Sequence, residues 1–222
     1  MLTQIYEVAT PREANALCGL GVDHIGILVG DGAFPREQSL AAAAAIRAAV
    51  RQPCRCSALF LSADIGHIAK MAGALAPDIV HLGAAIELLK PADCASLRRI
   101  MPNACLMRSI PVIGEDAVAL ALSYQEAVDF LLLDSHRPGD AQIGALGTTH
   151  DWRISERIVR AVAIPAILAG GLGPENVAEA IRCVRPAGVD SKTKTDVVGT
   201  HVKDLERVRA FVTAARAAAS EG

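Results

Sequence analysis

Eight short apolar runs alternate with eight amphipathic or Ala-rich stretches along 222 residues, and this alternation predicts a (β/α)8 (TIM) barrel. The length, a little under the ~250 residues usual for that fold, has no linker-like break in composition, so residues 1–222 are placed in one domain. No G-x-G-x-x-G follows the first strand, which disfavours an open doubly wound sheet. An Asp recurs just before or within several strands (Asp23, Asp78, Asp129, Asp190), as a repeated αβ unit would show.

Leu2–Val8 is the first strand by its β-branched and aromatic content, and Thr10-Pro11-Arg12-Glu13 supplies an N-cap, a proline at the first helical position and an early acid. That helix ends near Gly19 and Gly21. Val22–Val29 is the second strand and Glu37–Arg51 an Ala-rich helix; Arg55–Leu61 is followed by a helix over Asp64–Leu75. Asp78–Leu82 pairs with a helix at Pro91–Ile100, and Ala104–Ile110 with one at Ala117–Ala127. Phe130–Leu133, four apolar residues in a row, reads as a strand buried on both faces. A helix is expected from Trp152 to about Ala161, then a strand over Pro165–Ala169 and a helix over Pro174–Val184 with Val177, Ile181 and Val184 on one stripe. Gly188-Val189-Asp190 marks the eighth strand, and a helix from Lys203 to about Ala218 closes the chain.

Composition narrows function by exclusion. A net charge of −2 without a basic run, and an aromatic content of 3%, argue against nucleic acid and against an anionic membrane as partners. The N-terminal stretch lacks a signal-peptide pattern and no apolar run approaches membrane-spanning length. The six cysteines are scattered without paired metal spacing, so a soluble, reduced, cytoplasmic protein is expected.

In such a barrel, chemistry sits at the C-terminal ends of the strands. Asp134, at the exit of the most apolar run, is the first catalytic candidate; a turn-capping role is its alternative. The other ends supply Glu7, Arg36, His81, Arg108, Gly170-Gly171 and the run from Asp190 to Asp196. AGGLGPEN offers unobstructed backbone N–H groups, and Lys192, Thr193 and Lys194 add hydroxyl and ammonium donors. Together they suggest a phosphate site in the loops after strands seven and eight, hence a small phosphorylated substrate.

The motifs LLLDS (131–135), GTTHDW (147–152), ILAGGLGPENV (167–177) and GVDSKTKTD (188–196) occur in order, with GVDHIGILV (21–29) and FPR (34–36) upstream. In this order and spacing the chain resembles the phosphoribosylanthranilate isomerase family of tryptophan biosynthesis. The resemblance implies an Amadori rearrangement without cofactor or metal. It assigns the acid to Asp134, the arginine that holds a substrate carboxylate to Arg36, and the phosphate loops to Gly170-Gly171 and Lys192–Lys194. Three departures stand out. The family's K-I-C-G-I-T, whose Cys is the general base, becomes Ile5-Tyr6-Glu7-Val8-Ala9-Thr10, with Glu7 at the Cys position, or Tyr6 on a one-residue shift. Its Q-L-H-G becomes His81-Leu82-Gly83-Ala84, and V-S-S-G-V-E becomes Ser191–Asp196 with a glycine lost.

Three readings follow. The first is acid/base isomerisation, with Glu7 as base and Asp134 as acid, and with Arg36, His81, Arg108 and His136 around the substrate. A structural pairing of Glu7 with Arg108 is its bland counterpart. The second is a metal-assisted epimerase or lyase built on His81, Asp134, His136 and Glu7. The third is a silent paralogue that binds a phosphorylated metabolite. The glycine-rich loop after Asp134 reads as a mobile cover over the barrel mouth.

Overall fold

Strands apolar on both faces must be covered on both, and a closed parallel sheet inside a ring of helices does so. A computed structural model describes residues 1–140, 143–144 and 146–220. Residues 141, 142 and 145 of the loop after Asp134 lie outside the described residues. The strands are β1 (Leu2–Ile5), β2 (His24–Leu28), β3 (Arg55–Phe60), β4 (Ile79–Leu82), β5 (Leu106–Pro111), β6 (Phe130–Asp134), β7 (Ala166–Leu168) and β8 (Gly188–Ser191). They pair in sequential order, and β8 closes in parallel onto β1 through Leu2↔Gly188 to Ile5↔Ser191. The helices alternate with them: α1 (Pro11–Gly19), α2 (Leu40–Ala49), α3 (Ile65–Leu75), α4 (Pro91–Ile100), α5 (Ala117–Tyr124), α6 (Trp152–Ala161), α7 (Val177–Val184) and α8 (Leu205–Ser220). This is the expected (β/α)8 barrel. No helix among the described residues is long and apolar enough to cross a membrane.

The two-residue period of a strand sorts its side chains between two cores. Ile79, Met107, Leu132, Ile167 and Ala169 point to the barrel axis and form one cluster. Ile25, Ile27, Phe60, Leu106, Ile110 and Leu133 point outward into the larger layer shared with the helices.

Three of the four recurring aspartates have a common structural role. Asp23 Oδ2 accepts from Thr3 N at 2.8 Å, Asp78 Oδ2 from Cys56 N at 2.7 Å and Asp129 Oδ2 from Leu106 N at 2.7 Å. Each stands just before an even-numbered strand and satisfies an amide of the preceding strand, where the ladder begins and a backbone donor would lack a partner. Asp190 differs: it lies inside β8 with its side chain buried.

Element boundaries shift where a side chain has other work. The first helix starts as expected, with Thr10 Oγ1 accepting from Glu13 N and Glu13 Oε2 accepting from Ala9 N, a reciprocal cap. Helix α2 begins at Leu40 rather than Glu37, because Ser39 caps it and the Glu37 carboxylate accepts from Gly32 N and Phe34 N in the preceding loop. Helix α7 begins at Val177 rather than Pro174, because the Asn176 side chain braces the glycine turn, accepting from Gly173 N and donating to Gly171 O. Strand β1 stops at Ile5, short of Val8, as the chain turns at Glu7 with φ 57°.

Arg108 corrects an expectation. It shares the outward parity of Leu106 and Ile110, so it lies outside the barrel wall, fully buried, and neither touches Glu7 nor lines the mouth. Its guanidinium donates to Leu82 O at 2.8 Å and Leu89 O at 3.3 Å and sits 5.2 Å from the centre of the Tyr124 ring. A buried cation held by carbonyls and an aromatic face is a structural tie between β4, β5 and α5.

Two measurements check this packing. Arg108→Ala is expected to cost at least ~2 kcal/mol of stability from its two charge-assisted hydrogen bonds, seen in denaturant unfolding, while substrate KM stays within twofold. Gly26 faces the barrel interior, and a methyl there would overlap the Tyr6 ring. Gly26→Ala should therefore cost about 1–3 kcal/mol and lower Tm by roughly 2–4 °C per kcal/mol, and combined with Tyr6→Ala it should cost less than the sum of the two single losses.

Candidate active site

Polar residues on the axial faces of the strands gather at the C-terminal end of the barrel. The cavity there is lined by Tyr6, Glu7, His81, Ser109, Asp134, Asp190 and Lys192, with the turns Gly170–Leu172 and Thr193–Lys194 at its edge. Its floor is a buried hydrogen-bonded chain. Tyr6 Oη lies 2.7 Å from Ser57 Oγ and 2.6 Å from His81 Nδ1, and His81 Nε2 lies 2.7 Å from Ser109 Oγ. Burial pushes the His81 pKa down to about 3, helped by the Arg108 charge, and holds the Tyr6 phenol well above its ordinary value. All four groups are therefore neutral at pH 7, and they form a rigid polar floor rather than a titrating pair.

Two carboxylic acids stand above that floor. Asp134 ends β6, and its Oδ1 accepts from Ser135 N at 2.7 Å and Ser135 Oγ at 3.3 Å. Burial nevertheless dominates and lifts its pKa to about 7. Asp190, on the axial side of β8, accepts from Gln4 Nε2 at 3.2 Å. Burial, and then the charge of Asp134, lifts its pKa to about 8. Two carboxyls so placed cannot both ionise cheaply, so at least one proton is retained between them near neutrality.

Glu7 is held in the opposite state. Arg36 grips it as a fork, Nε to Oε2 at 2.5 Å and a terminal nitrogen to Oε1 at 3.1 Å, and Lys192 Nζ reaches Oε1 at 2.6 Å. Partial burial opposes its ionisation, but Arg36 and Lys192 outweigh burial and hold its pKa below the usual carboxylate value. The partners of Glu7 are thus Arg36 and Lys192, not Arg108. Glu7 and Arg36 both have positive φ, 57° and 68°, a conformation that residues with a Cβ adopt only under constraint.

The glycine pair is closely covered. Gly170 and Gly171 have φ of 83° and 62°, and a methyl on Gly171 would stand 2.8–3.0 Å from backbone atoms of Gly147–Thr149. Gly147 in turn lies beside Thr193, so the loop after Asp134 rests on the turns after β7 and β8. Thr193–Thr195 forms a 3₁₀ turn that the sequence reading did not anticipate; Thr195 Oγ1 closes it by donating to Lys192 O.

Of the sequence candidates, the cavity unites Glu7, His81, Asp134, Gly170, Gly171, Lys192, Thr193 and Lys194. Arg36 borders a neighbouring cavity and reaches this one only through Glu7. Arg108 lies behind the wall, and His136 is half-buried on the loop without lining the cavity, its Nδ1 shielded and unpartnered. The four residues of the metal reading do not converge: among the described residues no group of three or more His, Cys, Asp or Glu could hold an ion, and both His81 nitrogens are already engaged. Sequence reasoning undervalued Asp190, whose signal was its place within a strand while its counterparts precede theirs. It also missed Ser57 and Ser109, because a serine inside a strand carries no mark of the face it occupies.

Comparison with known proteins places this geometry. The family model described as N-(5'-phosphoribosyl)anthranilate (PRA) isomerase matches residues 5–214. The PRA isomerase of Afipia carboxidovorans is 32% identical over 99% of this chain and 91% of its own length. That of Haloferax volcanii is 39% identical over 70% of this chain and 65% of its own length, and PRA isomerase 2 of Methanosarcina mazei is 38% identical over 52% and 53%. The match thus spans about half to two thirds of the length of these last two relatives. The solved PRA isomerase of Thermotoga maritima superposes with a TM-score of 0.80 at 22% identity, covering 98% of this chain and all of that one. Thiamine phosphate pyrophosphorylase from Pyrococcus furiosus reaches 0.68 at 21% identity over 99% of this chain and 95% of that one, so the fold alone does not choose a reaction. The family match over nearly the whole length does choose the family: the chain belongs to the N-(5'-phosphoribosyl)anthranilate isomerase family.

Proposed function

We propose that this chain isomerises N-(5'-phosphoribosyl)anthranilate by an Amadori rearrangement, with Asp134 as general acid and Glu7 as general base. Asp134 gives its proton to the furanose oxygen as the ring C–O bond breaks, leaving an iminium at the anomeric carbon. Glu7 then takes the proton from the adjacent sugar carbon, and the released electron pair forms the enolamine that tautomerises to the ketone. The observation that supports this most is the opposed state of the two carboxyls in one cavity: Asp134 is lifted to about 7 by burial and Glu7 is lowered by its cations. One acid and one base at neutral pH are what the reaction needs.

Asp190 supports the acid by holding negative charge away from the site while it keeps its proton. Gly170, Gly171, Lys192, Thr193 and Lys194 take the phosphate, and Arg36 takes the anthranilate carboxylate, for which a guanidinium fork is suited. The neutral Tyr6–His81 chain forms the dry floor under the sugar. A solved phosphoribosyl anthranilate isomerase, 23% identical to this chain, is in complex with reduced 1-(o-carboxyphenylamino)-1-deoxyribulose 5-phosphate, a compound with both phosphate and carboxylate groups, and this supports the reading.

Turnover of phosphoribosylanthranilate by the wild type, Asp134→Asn and Glu7→Ala tests the assignment. Each substitution is expected to lower kcat by about 10²–10⁴-fold. An inactive wild type that still binds phosphosugars removes the substrate and leaves the silent-paralogue reading; a fully active Glu7→Ala removes Glu7 as base. The pH profile carries a second expectation. Asp134 acts protonated, so kcat/KM falls as pH rises through about 7. Glu7 acts ionised, so the acid limb lies below its ordinary value of 4.5. A rate that climbs through pH 7 would sink the acid assignment.

A further inference from the structure

Glu7 lines two cavities at once. The barrel-mouth cavity, which contains Lys192, has a volume of about 70 Å³. A neighbouring cavity of about 200 Å³ shares Glu7 and Leu28 with it and contains Arg36, Gln38 and His201. The bridge Lys192–Glu7–Arg36 therefore runs from one cavity to the other, with Leu28 beside it. Arg36 keeps 35% of its side chain exposed, so a second carboxylate can approach it from solvent. An exchange of one carboxylate for another leaves the guanidinium paired throughout, and no buried charge is stranded.

We infer that Glu7 is a displaceable partition: an internal carboxylate that occupies Arg36 and Lys192 until a ligand carboxylate replaces it on Arg36, joining the two cavities into one site. The choice of ligand rests on the isomerase reading; the partition itself rests on the ion pairs and cavities. Once Glu7 leaves Arg36 it loses one of the two cations that hold it acidic, so it becomes a stronger base when substrate arrives. Discrimination follows as well, because only a ligand carrying a carboxylate can complete the exchange. A phosphosugar without one leaves the bridge in place.

The test is calorimetric titration of wild type and Glu7→Gln with two compounds: reduced 1-(o-carboxyphenylamino)-1-deoxyribulose 5-phosphate and the same compound lacking the ring carboxylate. Both carry the phosphate, so the effect of removing Glu7 on the phosphate cancels in the ratio of the two affinities; the titrations are repeated at raised salt, which screens the long-range pull on the extra carboxylate and leaves the contact at Arg36. That ratio is expected to rise about tenfold in the variant, in favour of the carboxylate, which corresponds to ~1.4 kcal/mol. An unchanged or smaller ratio overturns the partition while the isomerase reading stands. If neither protein binds the carboxylated compound, the isomerase reading fails and the partition falls with it. Should Glu7→Gln not fold, Glu7→Asn gives the same comparison, since Asn accepts positive φ more readily than most residues.

Discussion

In a closed barrel each strand residue faces either the axis or the helices, and this two-residue alternation governs the whole molecule. It sends Ile79, Met107 and Leu132 inward as a plug below the mouth and Leu106, Ile110 and Leu133 outward as the floor of the helix layer. It likewise puts Ser109 in the site and Arg108, its immediate neighbour, behind the wall. Arg108 at the strand end attracts notice as a functional charge, yet it ties elements together, while the plain serine beside it holds His81. The repeated aspartates show the same logic: Asp23, Asp78 and Asp129 stand before strands and clamp amides, whereas Asp190 stands within one and faces the axis.

Electrostatics then separates groups of identical chemistry. Among the described residues no cation is in contact with Asp134 or Asp190; burial drives both toward the neutral form, and the charge of Asp134 adds to it at Asp190. Glu7, on a turn at the rim, meets a guanidinium and an ammonium and stays ionised. The constraint is dielectric: far from water a carboxylate needs a paired charge, and the barrel supplies one at the rim and none at the centre. Protonated and ionised carboxyls stand in one cavity because of where the fold puts them, and the neutral Tyr6–His81 chain beneath adds no competing charge.

A carboxylate at position 7 meets a guanidinium and an ammonium that are also suited to an incoming anion, so on the proposed reading the base and the carboxylate subsite are linked. Glu7 and Arg36, the two partners of the ion pair, both have positive φ.

The sequence by itself determined the alternation of strands and helices, most helix starts, the strand-end position of Asp134 and the glycine pair, because these depend on local periodicity, capping and chain conformation. It also carried the family, since the order and spacing of motifs are properties of the chain. Tertiary structure alone decided which side of the wall each polar residue occupies, that Glu7 pairs with Arg36 and Lys192 across 29 and 185 positions of sequence, and that Asp190 sits close enough to Asp134 to feel its charge. Those outcomes depend on how strands remote in sequence register against one another, and on the burial that closure imposes. Neither has a local signature.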